Sequence, residues 1–306
     1  MSTVLITGGS GLLGKRLATI LADKGYTVNL LSRDNKKPIA DYNHVYLWDV
    51  TKAVIDDAAF TNCDYIIHLA GAGIADKGWT KERKQEIIDS RVKSSNLLYT
   101  RLKLVPNKVK AVISASATGY YGATTQPTPF NETDAPANDF LGQCCVAWEN
   151  SVNQIKALGI RTVNVRTGVV LSTHGGAMEK IAGLAKFGPV AAVGTGHQAM
   201  PWIHIDDICG IYIKAIEDDS MSGPYNATSP AKDDNKDFTK ALGHQIHRPM
   251  LPLPVPPFAI RMMYGEMSVT VLEGSHVTTD KIEETGFVFQ FPELTTAIRD
   301  LYVRRI

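Results

Sequence analysis

The stretch Val4-Leu5-Ile6-Thr7-Gly8-Gly9-Ser10-Gly11-Leu12-Leu13-Gly14 decides how this chain folds. Val4 to Thr7 is a short β-branched and apolar run, the pattern of a buried strand. Glycines at 8, 11 and 14 follow at once. Leu12, Leu13, Leu17, Ile20 and Leu21 then recur at helical spacing as far as Lys24-Gly25, a helix stop. Strand, glycine turn and helix in that order are the setting in which a glycine fingerprint signals dinucleotide binding. Gly8 permits the tight turn. Gly11 lets the backbone approach a pyrophosphate with no Cβ in the way, and Gly14 lets helix and strand pack closely. The free N–H groups of the helix start then face the diphosphate. Gly9-x-x-x-x-Gly14-Lys15 comes close to a P-loop, but Arg16 stands where a Ser or Thr would hold magnesium. The spacing Gly8-x-x-Gly11-x-x-Gly14 is the better fit.

Working outward, Thr27 to Leu31 reads as the next strand and runs into Ser32-Arg33. An acidic residue at this strand end grips the ribose 2′-OH of NAD, whereas an Arg suits a 2′-phosphate. Arg33, with Ser32 as an added hydroxyl donor, therefore points to NADP(H) in preference to NAD(H). Val45 to Trp48 reads as a strand ending in Asp49, either an adenine contact or a solvated turn. Tyr65 to Leu69 is a continuous apolar run of the buried parallel kind, leaving through Ala70-Gly71. His68 reads as a hydrogen-bonded strand histidine. A helix follows from about Thr80 to Leu102, and then a strand over Ala111 to Ala117 whose exit gathers Ser114, Ser116, Thr118, Tyr120 and Tyr121. Hydroxyls at a strand's carboxyl end are where an α/β protein places polar site groups. Gln126 to Asn138 is a Pro- and Asp-bearing loop, the next helix stops at Gly159, Arg161 to Arg166 is a strand, and Gly175-Gly176 marks a flexible joint.

This alternation predicts an α/β Rossmann fold, a doubly wound parallel sheet over 1–170 to which parts of 195–230 return. Residues 171–306 form a smaller α+β substrate-side region. Within it, 249–306 is a helical tail entered through five prolines between Pro249 and Pro257.

Composition narrows the function classes. With 306 residues, 44% of them hydrophobic and 21% charged, the chain supports a sizeable core. A net charge of +1 with no basic stripe argues against nucleic acid or membrane as the partner. Cys63, Cys144, Cys145 and Cys209 form no C-x-x-C pair, so neither zinc nor a disulfide framework is expected. The first strand begins too early to leave room for a signal peptide, and no apolar run spans a bilayer. The expectation is a cytoplasmic protein, monomer or homodimer, acting on a small molecule.

The chain resembles the extended short-chain dehydrogenase/reductases of the NAD-dependent epimerase/dehydratase group. The resemblance rests on Thr7-Gly8-x-x-Gly11-x-x-Gly14, His68-Leu69-Ala70-Gly71, Ser114-Ala115-Ser116-Ala117, Trp202-Ile203-His204-Ile205-Asp206-Asp207 and Tyr225-Asn226. Arg91-Val92-x-x-Ser95-Asn96-Leu97-Leu98 is similar to a helix motif whose first residue lies by the cofactor. Leu69 to Trp79, Ser116 to Gly122, Gly194-Thr195-Gly196-His197-Gln198, Pro201 to His204 and the segment Pro249 to Leu301 resemble one atypical, epimerase-like branch. That branch is sometimes labelled sugar epimerase or cell-division inhibitor. The resemblance completes an expected cofactor set: Gly8, Ser10, Gly11, Leu12, Leu13, Gly14, Ser32, Arg33, Asp49, Leu69, Ala70, Gly71, Glu86, Arg91, Ser114, Arg166, Gly168 and Val170. Trp79, His197, Trp202 and His204 are expected on the substrate side, His204 chiefly as support for the following helix.

One departure governs the function. Working members of the group use Tyr-x-x-x-Lys as proton donor and its helper, and no such motif occurs in residues 130–160. Phe140 and Cys144 stand near those positions, and a phenyl ring donates no proton. Ser116 survives at the position of the group's catalytic Ser or Thr, and Tyr120 or Tyr121 is the candidate replacement donor. An NADP(H)-binding, epimerase-like oxidoreductase with a relocated acid/base is the first reading. A catalytically silent NADP(H) sensor is the second. A sugar-nucleotide epimerase fits less well, because Ala177 to Gly196 offers only Lys180 and Lys186 as cations for a diphosphate.

Overall fold

In the computed structural model, which describes residues 2–34, 41–122, 128–185 and 188–304, the run Thr3–Thr7 is strand β1 and all five of its residues are buried. A side chain on either face of β1 meets a helix layer, which is why the run is apolar on both faces. Helix α1 is Leu12–Asp23, β2 Thr27–Ser32, β3 His44–Asp49, β4 Val54–Ile55, α2 Ala58–Thr61 and β5 Tyr65–His68. Helix α3 spans Lys81–Leu104, with the Thr80 hydroxyl capping it from the Arg83 N–H. Strand β6 is Ala111–Ala117, continued by a 3₁₀ turn Thr118–Tyr121. Helix α4 is Phe140–Asn153, β7 Arg161–Thr167, β8 Val169–Leu171, α5 Gly176–Ala185, β9 Trp202–His204, α6 Ile205–Glu217 and β10 Gly223–Ala227. The rest is helical: α7 Asn235–Gln245, α8 Pro257–Tyr264, α9 Val269–Leu272, α10 Asp280–Glu283 and α11 Leu294–Arg304.

Eight strands form one sheet in the order β10-β7-β6-β5-β1-β2-β3-β4, parallel at every pairing except β3 with β4. From β1 the chain winds outward through β2 and β3. From β5 it winds the other way through β6 and β7. The reversal falls between β1 and β5, and a crevice opens there beyond the carboxyl ends of the strands. The core lies on both faces. Val4 and Ile6 pack with Leu17, Leu21, Ile208 and Tyr212 on one side. Leu5 and Ile66 pack with Leu98, Leu102 and Ile155 on the other. Each such fully buried aliphatic side chain contributes about 1.5–3 kcal/mol of transfer free energy.

Four local features add to the sequence reading. Val54–Ile55 folds back as an antiparallel edge strand. Val169–Leu171 is not merely an exit from β7: it pairs in parallel with Trp202–His204 as a separate two-stranded sheet. Gly176, the second residue of the expected joint, has φ of 77° and begins α5 directly. The proline-rich segment is extended and docked, with Val190 pairing with Met250 and Val193 with Val255. Gln126 and Lys186 lie outside the described residues, as does the side chain of Lys180.

Candidate cofactor site

The glycine turn is held from three sides. Gly8 has φ of 70°, and a Cβ there would stand 2.8 Å from the Leu69 carbonyl carbon at the exit of β5. A Cβ on Gly14 would fall 2.4 Å from the Cα of Gly9, so α1 rests directly on the turn. The Tyr42 hydroxyl reaches the carbonyls of Gly9 at 3.0 Å and Gly14 at 3.1 Å and pins the loop from behind. Sequence spacing missed this contact, since nothing in the pattern marks an aromatic residue so far along the chain. Gly11 caps α1 with no side-chain hydrogen bond. The first N–H groups of the helix therefore have no competing side-chain acceptor.

This turn floors a cleft of about 1610 Å³. A drug-sized ligand needs roughly 300–1,000 Å³, so the cleft has room for a dinucleotide. Gly8, Ser10, Gly11, Ser32, Arg33, Asp49, Leu69, Ala70, Gly71 and Glu86 from the expected set line it. Ser32 accepts the Asp34 N–H at 3.2 Å, which leaves its own proton free to point into the cleft beside the exposed Arg33. Asp49 spends one carboxylate oxygen on Thr51 and Lys52, at 2.6 Å from the Thr51 hydroxyl. Those bonds hold its carboxyl below the usual range. It organises its own turn as well as lining the cleft. Leu12, Leu13, Gly14, Arg91, Ser114, Arg166, Gly168 and Val170 are not among the lining residues. Leu12, Leu13 and Gly14 form the first turn of α1. Arg91 braces the wall from behind, donating to the Ala72 carbonyl at 3.1 Å and packing its guanidinium over the Trp148 ring at 4.8 Å.

His68 lies beneath the cleft, fully buried. The Thr7 hydroxyl accepts the N–H groups of Leu69 and Ala70, so its own proton goes to His68 Nδ1 at 2.7 Å. The ring's Nε2–H then serves Ser94 and Ser95, both at 3.2 Å. Burial pushes the ring's pKa down to about 3, with the nearby Arg91 charge adding to the effect, so His68 is a neutral strut.

A second polar cluster lies at the ends of β6 and β7. The Ser116 hydroxyl donates to Glu149 at 2.7 Å, and Arg166 grips the same carboxylate with two N–H groups at 2.8 and 2.9 Å. Burial disfavours the Arg166 charge, but the Glu149 carboxylate more than offsets that and raises its pKa. Arg166 also donates to the Tyr121 hydroxyl at 2.9 Å, and Tyr121 donates to Asn226 at 2.8 Å. Burial pushes the Tyr121 phenol up to about 12. Tyr120 differs. Its ring lies 3.4 Å from the Arg166 guanidinium, it is half-buried, and its hydroxyl makes no hydrogen bond among the described residues. Glu149 went unnoticed in the sequence because a lone acidic residue in a helix usually faces water.

The α4 face that meets this cluster is a stripe of Leu141, Cys145 and Glu149. A Cβ on Gly119 would touch Leu141 at 3.4 Å, and Cys145 donates to the Ala117 carbonyl at 3.7 Å. Phe140 and Cys144 do not face Ser116. Phe140 packs edge-on against Trp79 at 4.8 Å, and Cys144 is buried on the Arg91 side. The registration of the missing motif is thus corrected by one residue, while the absence of Tyr and Lys is unchanged.

On the expected substrate side, Trp202 is fully buried and its indole donates to Asp233 at 2.7 Å, so it is a core side chain rather than a lining one. His204 caps α6 by accepting the Asp206 N–H at 3.1 Å and faces Asp300 with Nε2 at 3.3 Å. Burial pushes its pKa down to about 4. His197 is exposed and meets Asp234 at 3.0 Å. Trp79 donates to the Ile74 carbonyl at 2.9 Å. Among the described residues no cluster of His, Cys, Asp and Glu suits a metal ion, and no helix is long and apolar enough to cross a membrane.

Residues 4–227 match the NAD dependent epimerase/dehydratase family. The chain belongs to that family. Residues 255–301 match a domain of unknown function, DUF1731, which coincides with the helices from α8 onward. A family relative, the epimerase family protein YfhF of Bacillus subtilis, is 33% identical over 99% of this chain and 98% of its own. The crystal structure of human epimerase family protein SDR39U1 (isoform 2) with NADPH superposes with a TM-score of 0.86 at 28% identity, covering 98% of both chains. A nucleoside-diphosphate sugar epimerase from Corynebacterium glutamicum superposes with a TM-score of 0.78 at 29% identity, over 98% of this chain and 58% of that one.

Proposed function

We propose that this chain is an NADP(H)-dependent oxidoreductase of the epimerase/dehydratase family that reduces or oxidises a small molecule without the usual Tyr-x-x-x-Lys pair. The observation that carries the reading is Arg33 with Ser32 at the end of β2, lining the same cleft as the glycine turn. A guanidinium and a free hydroxyl suit a 2′-phosphate, where a carboxylate would repel it. The NADPH in the human relative's structure is consistent with this. Ser10, Gly11 and the α1 N-terminus would hold the diphosphate. Bound there, the dihydronicotinamide supplies a hydride; the chain has only to orient the partner and manage one proton.

Tyr120 is the side chain best suited to that proton. Its hydroxyl is uncommitted, whereas Tyr121 is held between Arg166 and Asn226. Arg166 fixes the Tyr120 ring from below, and Glu149 in turn fixes Arg166. Ser116 gives its proton to Glu149 and so presents an acceptor to a substrate hydroxyl. One observation favours the alternative of a silent NADP(H) sensor: beside Glu149, the α4 stripe facing Ser116 holds Leu141 and Cys145, neither of them a ready proton donor, since burial pushes the Cys145 thiol up to about 12. Hydride transfer separates the two. Oxidation of NADPH above background with any member of a carbonyl panel supports the oxidoreductase, and binding without turnover across the panel supports the sensor.

A further inference from the structure

Beyond the cofactor cleft lies a smaller cavity of about 140 Å³, lined by Trp79, Asp139, Phe140, Leu141, Glu266 and Val269. Its position ties it to the site above. Trp79 lies two residues before Lys81 and three before Glu82, which line the cofactor cleft, and Leu141 touches the β6 exit that carries Ser116 and Tyr120. Its chemistry is one-sided. Trp79 and Phe140 meet edge to face, and Leu141 and Val269 complete an apolar wall. Two carboxylates line it and both are engaged: Asp139 caps α4 through the Gly142 N–H at 2.8 Å, and Glu266 pairs with Lys84. The cation at its edge is Lys84, whose ammonium lies 5.2 Å over the Phe140 ring and is already paired with Glu266. A diphosphate placed there would have to displace Glu266 from Lys84 and would still face the Asp139 carboxylate. Its volume is close to the about 150 Å³ that accommodates one benzene ring, so it matches a single aromatic ring seated against a half-exposed wall.

We infer that this cavity is the substrate subsite of the proposed oxidoreductase and takes the uncharged ring of a small aromatic aldehyde or ketone, not the sugar diphosphate of a nucleotide sugar. The inference rests on the oxidoreductase reading for the word substrate, but its ring-binding part stands by itself. The apolar walls supply affinity without direction, and edge-to-face contacts with Trp79 and Phe140 set the ring's plane.

The test uses the full chain and reads binding as well as turnover. Benzaldehyde, 4-carboxybenzaldehyde and UDP-glucose are titrated by saturation-transfer NMR, with and without NADPH, on the wild type and on Val269→Trp, which fills the cavity from its half-exposed rim. The expected result is saturable benzaldehyde binding, weakened at least about tenfold by the added carboxylate and by Val269→Trp, with NADPH affinity unchanged in the variant. UDP-glucose should not compete. Absence of benzaldehyde binding, binding indifferent to Val269→Trp, or displacement by UDP-glucose overturns the inference. Failure of NADPH to bind would instead strike the oxidoreductase reading, and the benzaldehyde titration would still decide the cavity.

Discussion

At the scale of single residues, the two adjacent tyrosines separate by their partners. Tyr120→Phe is expected to lower turnover of a working substrate by about 100-fold or more, the usual contribution of a positioned proton donor, with NADPH affinity unchanged. Tyr121→Phe removes a hydroxyl that accepts from Arg166 and donates to Asn226. It should cost about 1–3 kcal/mol of stability in urea unfolding and little of the rate per folded molecule. An equal loss of rate in both variants would remove Tyr120 from its role. Glu149→Gln leaves the buried Arg166 without its counter-charge. It should destabilise the fold by about 3–5 kcal/mol, far more than truncation of an exposed acid such as Asp219, and a small loss would mean that the cluster does not hold the β6 and β7 exits.

At the scale of elements, β1, its glycine turn and α1 were legible in the sequence because each follows from local chemistry: an apolar run, a backbone needing glycine, and a helical apolar stripe. The same holds for the cleft-lining residues of that turn and for Arg33, which stand at fixed offsets from strand ends. What was not legible depends on distant contacts. The β8–β9 pair joins residues some thirty positions apart, Val170 to Ile203, and neither strand exceeds three residues. Tyr42 reaches the turn from the far side of β2, and Glu149 reads as an ordinary helix acid until Arg166 and Ser116 are seen beside it. The one-residue shift in the α4 motif has a similar origin, since helix phase is set by packing on β6 and not by motif spacing. Gly14→Ala puts a methyl 2.4 Å from Gly9, so α1 must lift off the turn. NADPH affinity should fall at least about tenfold in calorimetric titration while circular dichroism still shows a folded protein. Unchanged affinity would mean that α1 does not set the cofactor floor.

At the scale of the whole molecule, two buried neutral histidines, His68 under the cleft and His204 between α6 and α11, tie stability to pH. In the unfolded chain each ring takes up a proton near pH 6.5, whereas in the fold the pKa values are pushed down to about 3 and about 4. Their folded state is therefore fully favoured above about pH 6.5 and loses ground as pH falls toward those values. The slope reaches about 1.4 kcal/mol per pH unit for each ring. Between about pH 6.5 and 5 each ring should cost about 2 kcal/mol, and His68→Gln should remove one such share of the acid loss in paired urea titrations. Identical acid sensitivity in wild type and variant would contradict the neutral strut. The claim that organises the molecule, however, is that the crevice between β1 and β5 holds NADP(H) through Arg33. The direct measurement is calorimetric titration of wild type and Arg33→Ala with NADPH and NADH. The wild type should prefer NADPH, and Arg33→Ala should weaken NADPH by about 10- to 100-fold while leaving NADH nearly unchanged. Preference for NADH, or an equal loss for both cofactors, would contradict it.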